Sequence, residues 1–225
     1  MNIEQIEAIH QTQIQKRKEY EQGLFDTYKG SIERYNKLHE EQKQQIANLP
    51  NYWLYVIQNS DWGKEMPISK TDYFVLKNLE DISLTSIQQK NVPHSILKNE
   101  TTIVIEITMK LKFKPNEYME KIELDKTFSF NVNENNYPII DVKNSGIAMT
   151  EKFYQDLGER DSFFDFFAVD EDDDENGEDV EMRKRFDINI CKFIVFDLLP
   201  FSFDYFKQVN ETSEDEEEDD DYDEY

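Results

Sequence analysis

The stretch from Ile3 to Leu49 contains no proline, and its apolar residues recur at helical spacing among charged and glutamine residues: Ile3, Ile6, Ile14, Leu24, Tyr28, Ile32, Tyr35, Leu38, Ile46 and Leu49. This pattern predicts one long helix over 1–49 with a single apolar stripe. At 1.5 Å per residue the helix would extend about 70 Å, longer than a body of this size can cover. The stripe therefore needs another surface. The simplest is the same helix of a second copy, giving a homodimer with a coiled-coil-like seam; the alternative is a helix folded back on its own domain. Gly23 and Gly30 sit inside the pattern at about 1 kcal/mol each relative to Ala, and mark where the helix would break into two.

Beyond Pro50 the texture changes. Tyr52 to Ile57 reads as a short apolar helix, Asp61-Trp62-Gly63 as a turn, and Ser69 as the N-cap of a helix running to Leu79, with Asp72 three residues on. Strict alternation follows in Thr101 to Phe113, where Ile103, Ile105, Ile107, Met109, Leu111 and Phe113 share one face. Ile82 to Gln88 and Ile122 to Val132 are strands of the same kind, Tyr137 to Ile147 is a fourth, and the loop Lys114-Pro-Asn-Glu117 makes a hairpin. Phe153 to Leu157, the aromatic run Phe163 to Phe167, and an amphipathic stretch from Phe186 to Leu198 return to helical texture. The expected fold class is α+β: a long dimerisation helix, then an antiparallel sheet covered by helices on one face, then an acidic C-terminal tail. The expected division is 1–49 for the helix, 50–210 for the α+β domain with an acidic loop at 170–181, and 211–225 for a disordered tail.

Charge is distributed unevenly. The chain of 225 residues carries 49 Asp and Glu against 25 Lys and Arg, a formal charge of −24. Nine acids fall in 170–181 and ten in 214–224, with no Lys or Arg in either window, which leaves 30 acids against 25 bases elsewhere. A nearly neutral body thus bears two anionic segments. Such runs repel nucleic acid phosphates and attract polycations, so direct DNA or RNA binding is not expected and a strongly basic protein partner is. The candidate contact residues are Asp170, Asp172, Asp173, Asp174, Glu175, Glu178 and Asp179 in the loop, and Glu214, Asp215, Glu216, Glu217, Glu218, Asp219, Asp220 and Asp221 in the tail.

Catalytic patterns are missing from the sequence. There is no Gly-rich phosphate loop among the six glycines, and His10, His39 and His94 lack metal-ligand spacing. His39 reads as a surface residue of the long helix, and Cys191 as a buried thiol without a partner cysteine. Asp172, Asp174, Asn176 and Gly177 match the start of a calcium loop, but Arg183 stands where the bidentate Glu belongs. No enzyme activity, cofactor or metal is expected. The N-terminus lacks a basic and apolar leader, and no apolar stretch approaches the ~20 residues of a membrane span, so no membrane association is expected.

Four short stretches, in order, resemble the nucleosome assembly protein family of histone chaperones, and within it the SET branch. They are Leu49-Pro50-Asn51-Tyr52-Trp53-Leu54; Phe113-Lys-Pro-Asn-Glu-Tyr118 running on to Leu124-Asp-Lys-Thr-Phe128; Asp161-Ser-Phe-Phe-Asp-Phe-Phe167; and Phe186-Asp187-Ile188 through Leu199-Pro200-Phe-Ser-Phe-Asp-Tyr-Phe206. The resemblance implies an antiparallel homodimer with Leu24, Tyr28, Tyr35, Leu38 and Ile46 in the seam, a core packed by Trp53, Phe163, Phe164, Phe167 and Phe206, and an acidic underside offered to core histones. It implies an ATP-independent chaperone that shields histones for nucleosome assembly, working in nucleus and cytoplasm. A protein of the same fold that binds or inhibits a non-histone partner, such as a phosphatase or an acetyltransferase, is the alternative. One departure matters: 141–160 is short and nearly neutral where related proteins often carry a longer basic insertion.

Overall fold

The computed structural model describes residues 2–94, 100–133, 141–144, 146, 148–168 and 177–215. Helix α1 (Ile3–Ile46) is continuous through both glycines, and at 44 residues it is about 66 Å long. A Cβ at Gly23 would meet nothing within 4 Å, so no close approach demands glycine there, and the helix simply tolerates the propensity cost.

After α1 the chain turns at Asn51, which takes the left-handed conformation (φ 55°) that Asn accepts more readily than most residues. It leads into α2 (Tyr52–Asn59), whose Trp53, Leu54, Val56 and Ile57 are buried. In α3 (Asp61–Glu65) a Cβ at Gly63 would lie 2.1 Å from the carbonyl oxygen of Ile57, so only glycine fits this packing. Helix α4 (Lys70–Leu76) starts with the expected cap: Asp72 N–H donates to Ser69 Oγ at 3.0 Å, and Ser69 N–H donates to Asp72 Oδ2 at 2.8 Å. It stops at Leu76, three residues short of the predicted end.

Four strands follow, β1 (Leu79–Pro93), β2 (Thr101–Phe113), β3 (Glu123–Asn131) and β4 (Asp141–Asn144), in an antiparallel meander of sequential order. The first strand is longer than its apolar pattern predicts because its polar outer half still pairs with β2, Gln88 with Glu106 and Lys90 with Val104. Then come α5 (Glu151–Leu157), a 3-10 turn (Phe163–Phe167), α6 (Gly177–Phe193), a π-helical turn (Ile194–Leu198) and α7 (Ser202–Asp215). Helix α7 thus carries on five residues into the segment assigned to the tail.

The core lies on one face of the sheet, where Ile82, Ile105, Ile107, Met109, Leu111, Leu124 and Phe128 are fully buried. Trp53, Trp62, Phe163, Phe164 and Phe167 fill the space between this face and the helices. Asp72 links two of the short motifs. It is fully buried, takes the Ser162 hydroxyl at 2.6 Å and the Phe163 N–H at 3.2 Å, and so ties the start of α4 to the 3-10 turn 90 residues later.

Candidate functional site

Helix α1 has two largely apolar rows, and they do different things. Ile14, Glu21, Tyr28 and Tyr35, with Phe25, Ile32 and His39, are buried against the chain's own domain. Tyr28 packs edge-on to Phe130 and Phe196 with ring centres 5.7 and 4.7 Å apart, and the Tyr35 hydroxyl donates to the carbonyl of Ile82 at 3.0 Å. Burial pushes the Tyr35 phenol well above its usual range, so it stays a donor at any physiological pH. Tyr28 and Tyr35, which the resemblance placed in the dimer seam, are thus covered within their own chain. His39, expected at the surface, is buried too, 2.6 Å from Asp81 Oδ1 and stacked on Tyr35, because its row faces the sheet.

The second row lies about a quarter turn round the helix. It contains Ile6, Gln13, Tyr20, Leu24, Ser31 and Leu38, and Leu38 is 42 % and Tyr20 53 % exposed. Leu24 is half-buried, as is Ile46 near the end of the helix. Residues 3–13 are exposed throughout.

At the far end of the β1–β2 ribbon α1 is held by ions. Glu21 is fully buried and accepts the N–H of Ile103 at 3.1 Å, while Arg17 reaches both Glu21 and Glu100, at 3.6 and 3.4 Å. Lys18 lies 3.5 Å from Glu100 as well. Arg185 pairs within α6 with Glu181 at 2.5 Å.

The outer face of the sheet is polar, and its charges are paired. Lys110 lies 2.9 Å from Glu123 and 3.8 Å from Asp125, Lys112 lies 3.7 Å from Glu80, and Lys90 holds Glu106. The ammonium of Lys90 keeps the Glu106 carboxyl below the ordinary carboxylate range, and the Glu123 carboxylate raises Lys110. This face is not a uniformly acidic surface. The inner face holds one charge that the alternation did not predict. Lys126 stands opposite Met109 and is 2 % exposed; its Nζ is 2.9 Å from Asp187 Oδ2 and 3.6 Å from the centre of the Phe166 ring, and it donates to the carbonyl of Phe166. A lysine among Leu124, Phe128 and Phe130 at inward phase was the available signal, and its partner is 61 residues away.

The acidic segments attach to this frame at defined places. The carbonyl of Ala168, just before the loop, accepts from Asn144 of β4 at 2.6 Å, and α6 resumes the chain beside β3 and β4. Glu178 and Asp179 fall in the first turn of α6; Asp170 and 172–175 lie outside the described residues. Glu214 and Asp215 end α7, and 216–221 lie outside the described residues. Helix α7 is itself pinned to α2, with the Tyr52 hydroxyl donating to Ser202 Oγ at 2.9 Å and Asn59 Nδ2 to the carbonyl of Tyr205 at 2.8 Å.

Among the described residues no three His, Cys, Asp or Glu side chains form a metal-binding group, and no helix is long and apolar enough to cross a membrane. Cys191 is buried in α6, as expected.

The architecture has known counterparts. It superposes on a malaria parasite nucleosome assembly protein with a TM-score of 0.61 at 19% identity, covering 93% of this chain and 98% of that one. A Plasmodium knowlesi nucleosome assembly protein gives 0.60 at 18%, covering 92% and 97%. A Ccp1 mutant gives 0.56 at 18%, covering 93% and 99%. No curated protein sequence matches. The family model described as nucleosome assembly protein (NAP) matches residues 3–151, about two thirds of the sequence, and the chain belongs to that family.

Proposed function

We propose that this protein is a histone chaperone: an ATP-independent homodimer, without catalytic activity, that holds core histones in nucleus and cytoplasm and passes them to DNA. Membership of the nucleosome assembly protein family carries the reading. The charge distribution supports it. The outer sheet face is neutralised by its own ion pairs, so the excess acid sits in 170–181 and 214–224, each fastened to an ordered helix. In this mechanism the anionic segments replace DNA phosphates around Lys- and Arg-rich histone surfaces and release them when DNA offers a better match. Binding then weakens as salt rises, because much of it is screened charge.

The test is a titration of core histone complexes into the full chain and into a version ending at Ser213, at two salt concentrations, with lysozyme as a basic control. Histone binding that exceeds lysozyme binding, falls with salt and partly survives truncation supports a chaperone with recognition on the folded domain. Equal binding of histones and lysozyme, abolished by truncation, would leave a generic polyanion and overturn the reading.

A further inference from the structure

The free end of the β1–β2 ribbon is where the first half of α1 is fastened, and the fastening is made of charge. Pro93 ends β1 opposite Thr101, and the next residue, His94, donates its N–H to the carbonyl of Glu100 at 2.8 Å. His94 is buried there, 7 % exposed, within reach of the charges of Arg17, Glu21 and Glu100. Glu21 in turn holds the N–H of Ile103, and the Arg17 guanidinium spans Glu21 and Glu100.

Two cations, Arg17 and Lys18, face two carboxylates, Glu21 and Glu100, so the cluster is balanced only while His94 is neutral. Its bonding is incomplete even then. Arg17 Nε and Glu21 Oε1 stand 3.6 Å apart, too far for a hydrogen bond, and both atoms are buried without another. Burial, and then the Arg17 guanidinium, hold the His94 imidazole below its ordinary value of 6.5, against the opposing pull of Glu21 and Glu100. A proton on this ring puts a third cation beside a guanidinium that is already poorly bonded. Farther along α1 the attachment differs: the Tyr35 hydroxyl and the Asn36 amide donate to the carbonyls of Ile82 and Leu84, and His39 faces a carboxylate, Asp81, where a proton adds the opposite charge.

We propose that His94, Arg17, Glu21 and Glu100 form a proton-operated latch: a proton on His94 releases the part of α1 around Arg17 and Glu21 from the ribbon, while the part from Tyr28 to His39 stays docked. The closed latch binds that proton less readily than the open one, so closure is fully favoured above pH 6.5 and weakens as pH falls through the lowered closed value. The latch sets how much of α1 is fixed to its own domain, and it stands or falls independently of histone binding.

The experiment is hydrogen exchange on the full chain at pH 7.5 and pH 5.5, with each rate normalised to the intrinsic rate at that pH. The reporter is the Ile103 amide, which Glu21 holds; the amides of 35–39 are the internal reference. The expected result is a rise in opening at Ile103 of at least about threefold at pH 5.5, below the ceiling of roughly elevenfold that an open-state value of 6.5 sets, with the reference amides unchanged. His94→Gln should abolish the rise, and His10→Gln, at an exposed position of α1, should retain it. The readout is the change with pH and not the absolute rate, so a glutamine that loosens the ribbon end at both pH values does not obscure it, and the native chain alone tests the location. No rise at Ile103, an equal rise at 35–39, or a rise that persists in His94→Gln would each overturn the latch.

Discussion

The two faces of the sheet use lysine in opposite ways. On the outer face Lys90, Lys110 and Lys112 sit in water beside carboxylates of neighbouring strands, and each pair contributes little because solvent already screens it. On the inner face Lys126 is taken out of water altogether and is matched by Asp187, the Phe166 carbonyl and the Phe166 ring. An outer pair tunes charge; the inner one joins β3 to α6 and to the aromatic turn, so the helix that bears the acidic loop is registered on the sheet by one buried ion pair. The cost of burying both ions is offset only while both are present.

Removing one partner breaks that comparison most sharply. Asp187→Ala should cost about 3–5 kcal/mol in chemical denaturation, because it strands a buried ammonium, whereas Lys126→Met combined with Asp187→Leu should cost far less. If the single and double variants lose the same stability, the ion pair is not what matters at this position. Next in size is Asp72→Ala, which removes the side-chain half of the α4 capping box, the bond from Ser69 N–H, and both bonds to the 3-10 turn; a loss of about 2–3 kcal/mol is expected, measured as a shift in denaturation midpoint. Asp72→Asn should recover part of it.

On the outer face Lys110→Ala should change stability by less than about 1 kcal/mol, and the difference should vanish at high salt. The smallest effect is in the acid limb of the pH profile. Glu106 is held below its usual value of 4.5 chiefly by Lys90, so the folded state binds its proton less readily than the unfolded state does. The resulting stabilisation is fully present above pH 4.5 and is lost as pH falls through the lowered folded value. Lys90→Gln should flatten that limb by lowering stability slightly at neutral pH while leaving it nearly unchanged on the acid side.

Much of the frame was legible in the residues. Alternation placed the inner face of β2 correctly at every odd position from Ile103 to Phe113, and Ser69 with Asp72 marked the cap of α4, because both patterns are local and depend on backbone periodicity alone. The second role of Asp72 was not legible, since Ser162 and Phe163 reach it from 90 residues away and nothing in the spacing says so. Lys126 was passed over for the same reason: alternation pointed it inward, hydropathy pointed it out, and only Asp187 resolves the conflict.

By itself the sequence determined that α1 is one long helix with apolar residues to spare, that a sheet with one dry face follows, and that excess acid is confined to two segments. Period and composition are properties of neighbouring residues, so they need no tertiary knowledge. Only the tertiary structure decided that Tyr28, Tyr35 and His39 dock on the chain's own domain while Leu38 and Tyr20 stay outside. Periodicity says which side chains share a face, and a helix 3.6 residues per turn brings two apolar rows within a quarter turn of each other; which row is covered depends on what the rest of the chain folds against it.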